Sequence, residues 1–520
     1  MNHPPVSTSP SPDSNSNDFQ RARAEFKRVW GYDDFRSPQG EIVQTLLSGQ
    51  DALVVMPTGG GKSICFQLPA LLQTGLTLVI SPLVALMENQ VAELQAKQLP
   101  AAVLHSQLAK SQRQQALKHL EHGTLRLLYL SPETLFSPPV WQRLLQPTIT
   151  VRGLILDEAH CLAQWGDTFR PAYRRLGSVR PALEQHQTDP LAIAAFTATA
   201  DRSTQRILCR ALQLRTPRQF LLDPYRPHLT LRVQCTWSPR QRWETIHRYL
   251  HQQRTPQNRT PSGLVYVRTR RDGEALAQRL RHLGHHTCAY HGGLTAGERR
   301  DIEADWMADR LPFVVSTNAF GMGVNKPNVR WVIHYQVPLL LAEYIQEVGR
   351  AGRDGQAAEA IALVSEPTGW LDPSDRQRWR FFQTQQQQQY QAALKLARQI
   401  PREGTLKAVT AQFPKGAMAL GVLHSLDRLQ WQDPFTYRLV DPPPSPAAPV
   451  RSAFPPRLSQ PENPSQVMAH YLHSSQCRWG QLLRAFGFTP TQARCGHCDN
   501  CLGQGHPRLP GLSRLLSRSS

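Results

Sequence analysis

Met56-Pro57-Thr58-Gly59-Gly60-Gly61-Lys62-Ser63 decides the fold of this 520-residue chain. It follows a short apolar run, Ala52-Leu53-Val54-Val55, with the composition of a buried parallel strand. It leads into Ile64-Cys65-Phe66-Gln67-Leu68, which opens a helix. Strand, glycine-rich turn and helix N-terminus together make an anion site. Backbone N–H groups curl around phosphate oxygens and the helix dipole adds partial positive charge. In such a loop Thr58, Gly59, Gly60 and Gly61 line the phosphates, Lys62 reaches the β- and γ-phosphates, and the Ser63 hydroxyl coordinates Mg²⁺. The general pattern has a glycine where this chain has Met56. Taken alone, the loop could also be a plain glycine-rich turn.

Working outward, strands and helices alternate. Leu76–Ile80, Leu125–Leu130, Val151–Leu156 and Ala192–Phe196 are apolar runs, each ending in polar residues: Ser81-Pro82-Leu83, Ser131-Pro132-Glu133, Asp157-Glu158-Ala159-His160 and Thr197-Ala198-Thr199. That arrangement describes a parallel α/β sheet with its site on the C-terminal edge of the strands. An acid at the end of such a strand, facing a phosphate loop, can hold Mg²⁺, so Asp157 is the candidate. Glu158 is placed to orient and deprotonate water. An acidic helix cap is the alternative for the pair. About twenty residues before the loop, Tyr32 and Arg36 offer flat faces for stacking, and the Gln39 amide can pair both edges of adenine. Beyond the acids, Gln164 to Arg175 interleaves Trp165, Phe169 and Tyr173 with Arg170, Arg174 and Arg175, which suits nucleic acid. The four-residue spacing of the aromatics is also that of a buried helix stripe, but Gly166 and Pro171 interrupt it and favour an exposed loop.

A second alternating region starts near Gly263 and carries no second phosphate loop. It offers Ser316 to Asn325, then Tyr344 to Gly355. On a helix, Gln346, Arg350 and Arg353 would share one face, and the glycines between them imply close approach by another body. Arginines aimed from a second domain at the nucleotide of the first would stabilise γ-phosphate charge; a solvated basic helix is the bland alternative.

Lys+Arg exceed Asp+Glu by 59 − 39 = 20, a surplus that favours a polyanionic partner. No long apolar stretch or amphipathic basic helix supports a membrane partner. The first 17 residues are Ser/Pro/Asn-rich, neither signal peptide nor structured element, so an intracellular protein is expected. Five of the nine cysteines are scattered singly, while Cys477, Cys495, Cys498 and Cys501 cluster. Four thiolates suit a closed tetrahedral Zn²⁺ site, with an iron–sulfur cluster as the chemical rival; His497 could replace a thiolate, but it sits between two of them and is expected to face out. Between these regions, a glutamine tract (385–389) belongs to a linking helix. Helical patterns at 392–399, 405–413 and 416–429 then precede an alternating hairpin at 430–439. Three helices and a hairpin suggest a small winged-helix-like module. Trp431, Phe435 and Tyr437 pack either on duplex ends or on the module's own helices.

Residues 19–366 resemble the RecQ family of superfamily-two DNA helicases, motif by motif. Phe35–Gln39 looks like the family's adenine-reading motif, Met56–Ser63 its phosphate loop and Asp157–His160 its DEAH box. Gln164–Tyr173 is similar to the aromatic-rich loop that couples DNA binding to hydrolysis, with Trp165, Phe169, Arg170 and His160 as coupling residues. Thr197–Thr199, Ser316–Asn325 and Gln346–Arg353 match later motifs, and the cysteine order matches the family's zinc subdomain. The resemblance implies two RecA-like domains clamping ATP with Mg²⁺, a structural Zn²⁺, translocation on single-stranded DNA and 3′-to-5′ unwinding of forked duplexes in repair and recombination. A monomer in the bacterial cytoplasm, associated with the nucleoid, is expected, or a nuclear protein if eukaryotic. Single-strand-binding and repair proteins are possible partners, not identified by the sequence. Asn325 departs from the family's usual Asp, and the family's frequent winged helix after the zinc is not expected in the residues that follow Cys501. An ATP-switched DNA-binding or annealing protein and an RNA-directed remodelling ATPase are the alternatives. The expected layout is a disordered tail (1–18), RecA-like domains (19–215 and 216–366), a linking helix (367–389), the winged-helix-like module (390–440), a proline-rich linker (441–466), the zinc subdomain (467–505) and a basic tail (506–520).

Overall fold

The computed structural model describes residues 12–166, 170–253, 260–320, 326–366, 370–440 and 464–503. The chain divides into two compact units, 1–222 with 386–459 and 223–385 with 460–520. In the first unit, β1 (Ala52–Val55), β2 (Leu76–Ile80), β3 (Ala101–Leu104), β4 (Leu127–Leu130), β5 (Val151–Leu156), β6 (Ala192–Thr197) and β7 (Arg218–Leu221) form one sheet. Its order is β3-β4-β2-β5-β6-β1-β7, with every pairing parallel. The central strands are buried along their length because helices cover both faces, which is why they read as continuous apolar runs. Alternate residues serve opposite cores. Leu53, Leu78, Leu154 and Ala195 pack on one side, and Val54, Val79, Ile155 and Phe196 on the other. Asp51, buried just before β1, is satisfied on both oxygens. Oδ2 accepts from Arg180 Nη2 and the Arg215 N–H, each at 2.6 Å, and Oδ1 accepts from the Ile193 N–H at 2.8 Å. That pins the start of β1 to β6 and β7.

The second unit holds β8 (Leu229–Thr236), β9 (Gly263–Tyr266), β10 (Thr287–Tyr290), β11 (Phe313–Ser316), β12 (Trp331–His334) and β13 (Ala358–Ser365). Their order is β10-β11-β9-β12-β13-β8, again all parallel. Trp331 is fully buried over β9, and its Nε1 donates to the Pro261 carbonyl at 3.0 Å. The indole occupies the space above Gly263, where an added Cβ would stand 2.0 Å from the ring. Helices Pro464–His473 and Arg478–Ala485 carry the cysteine module, which packs on this sheet. Asp499 accepts from the Val233 N–H at 2.9 Å and donates its own N–H to Leu231 O at 3.0 Å, along the edge strand β8.

Several expected boundaries move. The first helix runs Pro12–Trp30, beginning ahead of Phe19. The first domain extends past residue 215, because β7 pairs with β1. The linking helix is Ser374–Ala397, continuous through the pattern expected as a separate helix from Ala392. Its start is anchored in the second unit by Asp375, whose Oδ2 accepts from Arg242 Nη2 at 2.7 Å and Oδ1 from Nη1 at 3.1 Å. The winged-helix-like module contains a third strand: β14 (Glu403–Thr405), β15 (Leu429–Trp431) and β16 (Thr436–Leu439) form an antiparallel sheet in the order β14-β16-β15. The linker up to residue 463 and the basic tail lie outside the described residues. Among the described residues no helix is long and apolar enough to cross a membrane.

Gly263→Ala is expected to cost about 1–3 kcal/mol, as overpacking does, read from urea unfolding. Burial opposes the Asp375 carboxylate, but the bonded Arg242 guanidinium outweighs it and holds the pKa at about 2. A depressed carboxylate stabilises above its unfolded pKa and loses that contribution as pH falls through the folded one. Wild-type stability should therefore fall more steeply than that of Asp375→Asn between about pH 4 and 2, by about 2 kcal/mol, in the same titration.

Candidate nucleotide site, aromatic segment and zinc module

The strand order β5-β6-β1 brings the phosphate loop and the acidic turn to one edge of the first sheet. Gly59 and Gly61 adopt φ of +83° and +78°, and the helix Lys62–Leu72 starts directly behind them. The left-handed backbone at Gly61 would strain any residue with a Cβ, and a Cβ there, 2.4 Å from Gln39 Nε2, would push that amide aside. Lys62 Nζ folds over the loop to donate to Met56 O at 3.2 Å. Gln39 is buried, and its amide is engaged at both ends: Nε2 donates to Gly60 O and Oε1 accepts from the Arg36 N–H, each at 3.0 Å. In this conformation Gln39 braces the phosphate loop instead of presenting its amide to a base. Tyr32, 52% exposed, and Arg36, also exposed, leave flat groups beside it.

Asp157 is buried at the end of β5, where its N–H donates to Ile80 O at 2.9 Å. Its Oδ1 accepts from the Glu158 N–H at 3.0 Å and its Oδ2 from Gln90 Nε2 at 3.3 Å. Burial first, and then the neighbouring Glu158 charge, push the Asp157 carboxyl up to about 6, while Lys62 opposes the rise. A buried carboxylate whose charge is costly is one that a divalent cation stabilises, so Asp157 suits a cation such as Mg²⁺. Glu158 has φ +49°, a left-handed conformation that costs a side-chain-bearing residue about 1–3 kcal/mol and that persists where surroundings impose it. His160 Nδ1 lies 3.3 Å from Glu158 Oε2 and 3.1 Å from Thr197 Oγ1. Thr197 ends β6 between the two motifs. Its carbonyl accepts from the Met56 N–H at 2.9 Å, and its hydroxyl donates to Thr199 O at 3.0 Å. Thr197 and Gln90 are the contributors that residue chemistry alone does not single out. Thr197 has one signal, a hydroxyl ending an apolar strand, and Gln90, mid-helix, has none.

The aromatic segment differs from the expected exposed loop. Helix His160–Trp165 ends at Gly166, and a 3₁₀ helix, Pro171–Ser178, follows. Phe169 and the Trp165 side chain lie outside the described residues. Tyr173 is fully buried, and Arg174 and Arg175 are 5% and 8% exposed, so these three serve the core rather than nucleic acid. Arg170 donates from Nε to Glu133 Oε1 at 2.9 Å and from Nη1 to Pro82 O at 2.6 Å. It thereby ties together the turns that follow β2 and β4.

In the second unit the arginines do not share a helix face. Helix Leu341–Val348 stops at Gly349, so Gln346 is helical whereas Arg350 and Arg353 sit in the following turns. The glycines end the helix rather than clear a surface. Gly352 has φ +63°, donates its N–H to Val329 O at 2.9 Å, and lies against Gln356 O and His228. Glu347 anchors the helix, accepting from Arg268 Nη2 at 2.7 Å with His334 Nε2 at 2.8 Å. Asn325 lies outside the described residues.

The sulfurs of Cys477, Cys495, Cys498 and Cys501 lie within 4.8 Å of one another. Thiolates about 2.3 Å from a tetrahedral ion stand about 3.8 Å apart, and Cys495 Sγ and Cys501 Sγ are separated by 3.9 Å. The set fits one Zn²⁺ and is too tight for a four-iron cluster. N–H groups of Cys495 and Gly480 point at Cys477 Sγ at 3.3 and 3.4 Å, and that of Arg478 at Cys498 Sγ at 3.4 Å, which suits thiolate charge. His497 faces away, its Nε2 lying 3.2 Å from the Tyr225 hydroxyl.

Two parallel sheets, a phosphate loop joined to an acidic turn, and a four-thiolate module define a nucleotide-driven helicase motor. Residues 36–207 match the DEAD/DEAH box helicase family, 241–355 the helicase conserved C-terminal domain, and 458–502 the RecQ zinc-binding family. The chain is 51% identical over 489 residues to the ATP-dependent DNA helicase RecQ of Synechocystis, covering 93% of this chain and 99% of the relative. It is 40% identical to the Haemophilus influenzae protein of the same name over 67% of this chain and 54% of that one. The chain belongs to the RecQ family. Among solved structures, Mycobacterium smegmatis helicase Lhr bound to ssDNA and AMP-PNP matches with a TM-score of 0.54 at 19% identity, over 82% of this chain and 61% of that one. S. cerevisiae Dbp5 bound to RNA and ADP BeF3 matches with 0.53 at 17% identity, over 69% and 90%. At such identities these two likenesses concern the fold.

Stripping metal with a chelator is expected to unfold the module, since a four-thiolate site supplies its folding energy. Trp479, whose Nε1 donates to Leu229 O at 3.0 Å, would enter water, so a red shift in tryptophan emission on chelation is the readout. An unchanged spectrum after complete zinc loss would contradict it.

Proposed function

We propose that the chain is an ATP-dependent DNA helicase that translocates 3′-to-5′ on single-stranded DNA and opens forked duplexes in repair and recombination. The observation that carries this is the junction at Thr197, which ties the phosphate loop to the Asp157-Glu158-Ala159-His160 turn. Thr58, Gly59, Gly60 and Gly61 supply backbone donors to the phosphates, and Lys62 leaves Met56 O to reach the β- and γ-phosphates. Mg²⁺, held by Ser63 and Asp157, neutralises phosphate charge when bound. Glu158 orients the attacking water and takes its proton. His160, set between Glu158 and Thr197, carries the state of that centre toward the aromatic segment. Arg350 and Arg353 add positive charge to the transferring phosphoryl group, with Gln346 as a further polar contact. Tyr32, Arg36 and Gln39 form the adenine side, and reading the base requires Gln39 to exchange a protein bond for a base edge. Asn325 accepts from a ribose hydroxyl without the charge of an Asp. Trp165, Phe169 and Arg170 couple DNA to hydrolysis. Such a substrate places the protein on the chromosome, in a bacterial cytoplasm.

Lys62→Ala and Glu158→Gln are each expected to lower turnover by at least about 10²-fold with the fold retained, by phosphate release and circular dichroism. Trp165→Ala should keep hydrolysis but lose its stimulation by DNA. The decisive assay follows strand release from a duplex with a single-stranded 3′ extension, alongside phosphate release. Phosphate without strands would replace the helicase by an ATP-switched DNA-binding protein, and equal stimulation by RNA would point to an RNA-directed ATPase.

A further inference from the structure

The module expected at residues 390–440 has the connectivity of a winged helix. The end of Ser374–Ala397 leads through β14 to helices Leu406–Gln412 and Gly416–Ser425, then to β15, a turn and β16. In helix-turn-helix readers the second helix of the pair enters the major groove, where Arg, Lys, Asn or Gln contact base edges. Here that helix reads Gly-Ala-Met-Ala-Leu-Gly-Val-Leu-His-Ser and carries none of those four residue types. Six of its residues, Gly416 and Ala419 to Leu423, are buried, and it packs on the 3₁₀ helix Pro171–Ser178 of the ATPase domain.

The wing is occupied in the same way. Pro434, in the turn between β15 and β16, accepts from Arg175 Nη1 at 2.9 Å. The Arg175 guanidinium lies 4.2 Å over the Phe136 ring. Phe435 packs edge-on against Trp141 and Phe136, with ring centroids 5.6 and 6.2 Å away. An ion pair between Arg210 and Asp427 at 2.7 Å closes the margin. Trp431 and Tyr437, the other expected duplex-facing rings, are buried, and the Tyr437 hydroxyl donates to Pro401 O at 3.1 Å. Both surfaces that a winged helix would offer to DNA are thus covered by the protein's own first domain.

We propose that this module is a brace of the ATPase domain and not a DNA reader. It holds Pro171–Ser178, and so fixes the far end of the segment that begins at Trp165 and includes Arg170. The coupling role rests on the function proposed above, whereas the brace itself does not.

Hydrogen exchange on the full-length wild-type protein, with and without forked DNA, reads the brace without any activity. Amides of Gly416–Ser425 are expected to exchange slowly in both states, changing by less than about two-fold. Strong protection of that helix by DNA would overturn the proposal. Phe435→Ala tests the consequence. Exchange at residues 171–178 and 416–425 should rise together, and stimulation of hydrolysis by single-stranded DNA should fall about five-fold or more, as loss of a half-buried aromatic anchor allows. Affinity for the same strand, by fluorescence anisotropy with a non-hydrolysable nucleotide, should stay within about two-fold, and Phe435→Leu should restore most of the stimulation. Normal stimulation combined with weakened binding of forked duplex would make the module a DNA contact and sink the idea. A wild-type protein without hydrolysis would strike the helicase reading and leave the exchange result standing.

Discussion

The site depends on one constraint, the adjacency of β5, β6 and β1 in a parallel sheet. Parallel strands all end on the same edge, so the phosphate loop after β1 and the acids after β5 emerge together, one strand apart. β6 fills that interval, and Thr197 at its end bonds both ways, its carbonyl to the Met56 N–H and its hydroxyl to His160. Asp51 holds the opposite end of the same strands with a buried carboxylate bonded on both oxygens, one of them to the Arg180 guanidinium. Removing one partner of such a pair leaves an uncompensated charge, so the register that aligns the site is protected at both ends.

The two C-terminal additions follow a common logic on different sheets. The zinc module uses Asp499 to occupy the open edge of β8, and Trp479 reaches the Leu229 carbonyl beside it. An edge strand left bare is a template for unwanted pairing, so the module protects the sheet as well as holding its metal. The winged-helix-like module instead covers the Pro171–Ser178 segment with apolar side chains, and the segment's buried Arg175 donates to Pro434 O. Each addition is held by a few specific polar bonds set within apolar contact, a pattern that fixes geometry as well as supplying burial.

Local patterns misled where a residue's role depends on what surrounds it. Gln346, Arg350 and Arg353 have helical spacing, but Gly349 and Gly352 stop the helix, and the left-handed φ at Gly352 makes that a turn. Tyr173, Arg174 and Arg175 have the composition of a nucleic-acid surface and are buried, Tyr173 in the first unit's core and Arg175 against Pro434, more than two hundred residues later in the chain. The amide of Gln39 has the right chemistry for adenine, yet Gly60 and the Arg36 backbone take both its ends.

The sequence by itself determined the sheet class, the phosphate loop, the acidic turn and the cysteine set. Each is a contiguous or closely spaced signal whose chemistry follows from neighbouring residues. Strand order, the Thr197 junction, the role of Gln90 and the covering of the winged helix were decided only in the tertiary structure. They join residues far apart in the chain, and in sequence a hydroxyl, an amide or an apolar helix looks the same whether it meets solvent, DNA or protein.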